Sequence, residues 1–296
     1  MNIVNVIYGN SRFSDIARWC LLRLRLYYPY NLYINKKQRS QAPSRQMMEA
    51  RKVFSDKKRI DAICSFLSDQ KSVETFRKLI NLRRYYRNRD IPEYNYFNQY
   101  FPDDILGFLK RGGIGEVFVD CGAFNGDTAK EFIKRAPNYK RIVEFEPDQR
   151  NMDMLRRNLR RHVHITVIQA GISSEDGNAY LQLQENTGGN YVTKESSGQR
   201  PLKIKLQKID SCPQCKDATF IKMDIEGSEM DALKGAKETI QRNHPKLAIS
   251  IYHSNEDMLK IPEFVHELVP EYELYIRAHT MGIAETVLYA IERGRQ

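Results

Sequence analysis

The period of the apolar positions changes along the chain. Between residues 45 and 87 they fall at helical spacing. Met47, Met48, Val53, Phe54, Ile60, Ile63, Phe66 and Leu67 form one run, Val73, Phe76, Leu79, Ile80 and Leu82 a second, and Lys and Arg fill much of the rest. Residues three and four apart share a helix face, so this segment predicts amphipathic helices. Residues 16–28 alternate Arg with Leu and aromatic side chains and also predict helix, with breaks at Pro29 and Pro43. The aromatic residues Tyr94, Tyr96, Phe97, Tyr100 and Phe101 keep a helix-like spacing that predicts core packing. From residue 116 the pattern becomes short apolar runs alternating with helical segments. Strands are predicted at 116–120, 141–146, 164–169, 220–224 and 246–252. Helices are predicted at 128–135, 148–161, 228–242 and 258–268, the last interrupted by Pro262. Residues 178–184 and 202–206 alternate as a hairpin excursion around a polar loop at 185–192, and 273–277 with 286–291 predict a closing antiparallel hairpin. Alternating β and α units build a mostly parallel sheet covered by helices on both faces, here of seven strands.

Ligands of such sheets bind at the carboxyl ends of the strands. Residues 117–127 read Val-Phe-Val-Asp-Cys-Gly-Ala-Phe-Asn-Gly-Asp. This is a buried-type strand ending in Asp120, then Gly122 and Gly126 where the backbone can turn sharply and approach a ligand. A dinucleotide site has the spacing G-x-G-x-x-G, with amides facing a pyrophosphate. The G-x-x-x-G spacing here, flanked by Asp120 and Asp127, would repel a pyrophosphate and suits a cofactor with a cationic amino-acid head. S-adenosylmethionine is such a molecule. The second strand ends at Glu146 before Pro147, placed to accept hydrogen bonds from a ribose diol. After the third strand, Ala170 and Gly171 offer small residues against which an adenine ring can pack.

Four segments carry a family resemblance: 118–128 around the glycine turn, Glu-Phe-Glu-Pro at 144–147, Ile-Lys-Met-Asp-Ile-Glu-Gly-Ser-Glu at 221–229, and Ala-Glu-Thr-Val-Leu-Tyr-Ala at 284–290. With these the chain resembles class I S-adenosylmethionine-dependent methyltransferases of the FkbM family over about residues 93–292. The Lys-x-Asp-x-Glu-Gly-x-Glu string at 222–229 is the most specific of the four. The resemblance implies a Rossmann-like methyltransferase domain at 93–296 behind a basic helical extension, a cap or lid, at 1–92. It also implies O-methylation of a sugar in a glycan, polysaccharide or glycolipid precursor. The expected cofactor contacts are Asp120, Gly122, Ala123, Asn125, Gly126, Asp127, Thr128, Glu146, Pro147, Ala170, Gly171 and Asp224.

Methyl transfer to a hydroxyl needs the oxygen aligned with the methyl carbon and a base for its proton. His253, at the tip of the fifth strand, is the expected base, with Asp224 to orient it or contact the acceptor. Lys222, two residues before Asp224, shares its face and is a supporting residue. Glu226, Glu229 and Asn190, the last in the hairpin loop, are expected to contact the acceptor. Asp224, Glu226, Glu229 and Asn255 could hold Mg2+ through oxygen ligands. Their spacing does not demand a metal, and none is assigned.

The net charge of +10 is unevenly placed. Residues 1–110 hold 21 Lys and Arg against 10 Asp and Glu, and residues 111–296 hold 26 against 27. The basic extension fits solvated faces of a cap, attraction to an anionic glycan or membrane surface, or RNA. An RNA methyltransferase is the alternative enzyme, disfavoured by the neutral catalytic half, and steep salt dependence of RNA binding would mark it. A scaffold docked through its basic helices is the non-enzymatic alternative, which liposome flotation would mark. Five cysteines, an odd number, the absence of an 18-residue apolar run and the lack of a signal-peptide pattern make cytoplasmic residence the expectation. Cys212-Pro-Gln-Cys215 is a lone C-x-x-C, without a second pair to complete a zinc site. A homo-oligomer is compatible with all of this.

Overall fold

In the computed structural model, residues 45–107, 109, 114–182, 191–193 and 201–292 are described. The predicted helix at 16–28, the hairpin tip and Asn190 lie outside them. Helices α1 (Arg45–Val53), α2 (Lys57–Phe66) and α3 (Gln70–Tyr85) come first, followed by a short α4 (Asp103–Leu106). The alternating part then runs β1 (Val117–Cys121), α5 (Asp127–Arg135), β2 (Arg141–Phe145), α6 (Gln149–Leu159) and β3 (Ile165–Ile168). An excursion follows, made of β4 (Gly171–Ile172), β5 (Gly177–Gln182), β6 (Tyr191–Thr193) and β7 (Pro201–Gln207). The chain returns through β8 (Phe220–Met223), α7 (Glu229–Lys234), α8 (Lys237–Asn243), β9 (Lys246–Ser250) and α9 (Asp257–Leu268). It closes with β10 (Tyr272–Ala278) and β11 (Thr286–Glu292).

The main sheet has seven strands in the order β10-β11-β9-β8-β1-β2-β3. Pairing from β3 to β9 is parallel, and β11 runs antiparallel to both β9 and β10. The order reverses beside β1, so a crevice opens there at the carboxyl ends of β1 and β8. The excursion folds as a second sheet, β4-β7-β5-β6.

Each face of the main sheet has its own core. On one face Phe118, Phe132, Phe101 and Phe220 meet, with Phe118 and Phe132 stacked at 4.4 Å between centroids, and Met152 and Leu155 of α6 join them. On the other face Val119, Val143, Ile221 and Ile249 pack in one cluster with Phe76 and Leu79 of α3 and with Met258 and Ile261 of α9. Helices α1–α3 therefore bury their apolar faces in the same core as the sheet.

The same N-terminal segment covers the free edge of β10. Ser68 N donates to Leu274 O (2.8 Å), Ile276 N to Ser72 Oγ (2.9 Å) and Asn95 N to Ala278 O (3.0 Å). An uncovered edge would expose a row of unpaired amides and carbonyls. Arg277, almost fully buried, ties β10 to Asp69 (2.6 Å) and Asp104 (2.9 Å).

The structure corrects three of these predictions. The aromatic cluster at 94–101 packs only in part: Phe101 is buried, but Tyr96 and Phe97 are exposed, because Tyr94 and Asn95 pair with the edge of β10 and hold the segment extended. The helix predicted at 228–242 is two, broken at Gly235–Ala236. There Gly235 packs so closely that a Cβ would sit 2.0 Å from Ser173 O. Pro262 does not interrupt α9, which carries it buried in mid-helix. Among the described residues, no helix is long and apolar enough to cross a membrane.

Candidate active site

A cavity of about 470 Å3 lies across the carboxyl ends of β3, β2, β1, β8 and β9. Its floor at β1 is set by the glycine turn. Gly122 has φ 85°, and a Cβ on it would stand 2.0 Å from Asp224 O, so the turn can lie against the end of β8 only without a side chain. Gly126 also has a positive φ, 80°, and begins α5. The first amides of α5 are already bound: Asp127 N donates to Asn125 Oδ1 (3.1 Å) and Thr128 N to Asp127 Oδ1 (2.8 Å). A phosphate would find there an acidic side chain and occupied donors.

Glu146 stands at the tip of β2 and is 6% exposed. Its Oε1 accepts from Asp148 N (2.9 Å) and Asn151 Nδ2 (3.2 Å), and its Oε2 from Phe124 N (2.9 Å). Burial pushes this carboxyl above its ordinary value, and these hydrogen bonds oppose the shift. Oε2, with a single protein donor, keeps capacity for a further hydrogen bond, and Glu146 lines the cavity. Pro147, Ala170, Gly171, Ile172 and Leu181 continue the wall as an apolar end.

The other end, over β8, β9 and β11, is polar. Asp224 follows β8, accepts from Tyr100 OH through Oδ2 and from Tyr252 OH through Oδ1 (3.3 Å), and lines the cavity. Glu285, just before β11, accepts from Gln99 Nε2 and also lines it. Burial, then the neighbouring Asp224, raise the Glu285 carboxyl to about 7. Phe124, Glu226 and Glu285 all adopt left-handed backbone, with φ of 47°, 55° and 50°. Such conformations are uncommon for non-glycine residues and gather at functional sites. Among the described residues, the charged ones facing the cavity are Asp127, Glu146, Asp224, Glu226 and Glu285 against Lys222.

Lys222 points down into the sheet. Parallel register sets Glu144, Asp120 and Lys222 side by side on β2, β1 and β8, all buried. Lys222 Nζ is 2.9 Å from Asp120 Oδ1 and donates to Gly122 O at 2.9 Å. Burial pushes the carboxyls of Asp120 and Glu144 up, and the Lys222 ammonium opposes it. Burial alone would lower Lys222, but Asp120 and Asp224 hold it above its ordinary value. The row is an Asp120–Lys222 ion pair beside Glu144, whose carboxyl burial pushes up, and Lys222 ties the glycine turn to the sheet through Gly122 O.

His253 sits behind Asp224 and Tyr252. Its Nδ1 is 3.0 Å from Glu229 Oε1, and its Nε2 is 3.5 Å from both Asp224 Oδ1 and Glu226 Oε2. Burial works against protonation, but Glu229, Asp224 and Glu226 outweigh it and raise the imidazole to about 9. His253 is not among the residues facing the cavity, so the geometry does not set it against an acceptor hydroxyl.

Of the expected cofactor residues, Gly122, Asp127, Thr128, Glu146, Pro147, Ala170, Gly171 and Asp224 line the cavity. Asp120 and Ala123 are buried beneath it, and Asn125 and Gly126 shape the turn, where Asn158 Nδ2 donates to Asn125 O (2.8 Å) and Gly126 packs on Leu159. Among the expected acceptor residues, Glu226 faces the cavity. Glu229 does not: it is fully buried, and its Oε1 accepts from Ile225 N (2.8 Å). Sequence reasoning missed Gln99, Tyr100, Phe124, Asn151, Tyr252 and Glu285. Only Phe124, midway between the two glycines of the turn, and the acid within the 284–290 segment left a trace. Cys212 and Cys215 are buried, and neither belongs to a metal-competent cluster among the described residues.

The strand order, the closing antiparallel hairpin and an acidic crevice at the reversal point define a class I methyltransferase fold. Residues 120–279, more than half of the chain, match the family described as the methyltransferase FkbM domain, and the chain belongs to that family. The 2-O-methyltransferase NoeI of Sinorhizobium fredii is 22% identical, in an alignment covering 53% of this chain and 72% of that protein. The crystal structure of methyltransferase FkbM from Methylobacillus flagellatus superposes with a TM-score of 0.66 at 27% identity. It covers 81% of this chain and 60% of that one, so the present chain spans well under two thirds of that structure.

Proposed function

We propose that this protein transfers a methyl group from S-adenosylmethionine to a hydroxyl of a sugar in a glycan or glycolipid precursor. The observation that carries the cofactor is the acidic cavity built around Glu146 and the glycine turn. Five carboxyl groups and one ion-paired lysine face it, which favours a ligand with a cationic centre over a phosphate. Glu146 would take the ribose, Pro147, Ala170, Gly171 and Ile172 the adenine, and the acidic turn the amino-acid head. The NoeI relative is a 2-O-methyltransferase, which supports transfer to oxygen. The sugar rests on the family resemblance.

When bound, S-adenosylmethionine would supply a methyl group activated by its sulfonium for in-line transfer to an oxygen. This chain would position the hydroxyl at the polar end, where Tyr100 and Tyr252 hold Asp224 in place. The hydroxyl proton passes to a carboxylate facing the cavity. Glu285, held near neutrality by burial, has the basicity that suits proton transfer at physiological pH.

The test is calorimetry with S-adenosylhomocysteine, followed by transfer of labelled methyl to a panel of nucleotide sugars and oligosaccharides. Micromolar binding and label in a sugar product are expected. Folded protein that does not bind S-adenosylhomocysteine would remove the cofactor assignment. Binding with label found only in RNA would remove the sugar.

A further inference from the structure

Bordering the cavity at Asp224 and Glu226, between α7 and the end of β9, one imidazole faces three carboxylates. One donor atom each from Asp224, Glu229 and His253 lie within 4.8 Å of one another. Two features set this group apart from an ordinary acidic cluster. Glu229 is fully buried, and its Oε2 has no hydrogen-bond partner. His253 Nδ1 meets Glu229 Oε1 at 3.0 Å, while its Nε2 has no hydrogen-bond partner. A buried polar atom left unpaired is costly, and more so when it is charged. The nearby ammonium of Lys222 is committed to Asp120 and Gly122 O. Among the described residues, His253 is the basic side chain that Asp224, Glu226 and Glu229 meet within 4 Å.

We propose that Asp224, Glu229 and His253 form a binding site for a divalent first-row cation of the Mn2+ type. Two carboxylates and an imidazole are a mixed oxygen and nitrogen donor set, which suits such an ion better than an all-oxygen preference would. Donors about 2.1 Å from one ion lie roughly 3–4 Å from each other, so the observed span closes with small side-chain adjustments. Asp224 belongs to both the cluster and the cavity, so the ion's open positions would face acceptor hydroxyl oxygens. A sugar with neighbouring hydroxyls is the ligand class that completes such coordination. That role for the ion rests on the methyltransferase reading; occupancy of the site does not.

The experiment uses chelator-treated full-length protein titrated with MnCl2, followed by the loss of the free Mn2+ resonance and by pulsed EPR for nitrogen coupling. One saturable site per chain with an imidazole nitrogen signal is expected. Glu229→Gln, which keeps an acceptor for Ile225 N, and His253→Gln should each weaken binding at least about tenfold. Asp231→Asn, on the exposed side of α7, should leave it unchanged. No saturable binding by folded wild-type protein, or bound Mn2+ without nitrogen coupling, overturns the proposal. So does binding unaffected by both substitutions. If Glu229→Gln does not fold, the wild-type nitrogen signal and His253→Gln decide. S-adenosylhomocysteine calorimetry on the same sample separates the readings: cofactor binding without Mn2+ removes only the metal site, and Mn2+ binding without cofactor leaves the metal site and removes the cofactor.

Discussion

Replacing Glu146 with Gln tests the cofactor end with one atom changed. The amide oxygen can take the place of Oε1 and keep the bonds from Asp148 N and Asn151 Nδ2. The amide nitrogen then takes the place of Oε2 and meets Phe124 N–H donor to donor, where the wild type has a 2.9 Å hydrogen bond. The opposite rotamer is worse, since it confronts two donors instead of one. A hydrogen bond to a charged group contributes about 1.5–3 kcal/mol. Losing the Phe124 bond should lower the stability of the ligand-free protein by that order. Losing the charged acceptor for a ribose hydroxyl should weaken S-adenosylhomocysteine by a similar amount again, roughly 10- to 150-fold in Kd. Glu146→Ala removes all three internal bonds at once and confounds stability with affinity. Titration calorimetry reads Kd, and thermal unfolding reads stability on the same samples. An analogue lacking the ribose hydroxyls should bind wild type and variant nearly alike. Equal affinity of wild type and Glu146→Gln for S-adenosylhomocysteine, with the predicted loss of stability, would show that Glu146 only holds the loop and that the ribose lies elsewhere.

Other consequences concern charge burial and the N-terminal helices. Lys222→Met should destabilise by about 3–5 kcal/mol, because it strands Asp120 beside Glu144 in the sheet, and adding Asp120→Asn should restore part of the loss in urea unfolding. A double variant no more stable than the single one would contradict the ion-pair assignment. Glu285 has a folded pKa raised from 4.5 to about 7, so its stabilising contribution is complete below pH 4.5 and is lost as pH rises through 7. Glu285→Gln should therefore gain on wild type across that interval, by roughly 3 kcal/mol at pH 8 relative to pH 4.5, with urea midpoints in chelator as the readout and parallel pH curves as the refutation. Arg83 of α3 donates to Tyr252 O (2.6 Å), Ile283 O (2.9 Å) and Asn255 Oδ1 (3.1 Å). Arg83→Met should free those part-buried acceptors and destabilise the fold by about 1–3 kcal/mol in total. It should also lower methyl transfer without changing S-adenosylhomocysteine affinity, and unchanged transfer would separate α3 from the acceptor end.

Local chemistry wrote much of this protein into its sequence. The alternation of short apolar runs with helical segments specified a doubly wound sheet. The two glycines after β1 specified a turn that only a residue without a side chain can make, and Glu146 before Pro147 specified an acid at a strand tip. These depend on neighbours in the chain, and periodicity and turn preference report neighbours. The tertiary structure alone decided which acids face the cavity. Asp120 and Asp224 both follow strand-type runs, yet parallel register puts Asp120 beside Lys222 beneath the floor while Asp224 emerges beyond the end of β8. His253 looked like a base from its strand-tip position, but its charge state depends on three carboxylates that folding gathers around it. Basic helices that could have been a detached cap instead bury one face in the core, seal the edge of β10 and reach the loops at Tyr252 and Ile283 through Arg83. Burial and electrostatic surroundings arise from residues far apart in sequence, and no local pattern carries them.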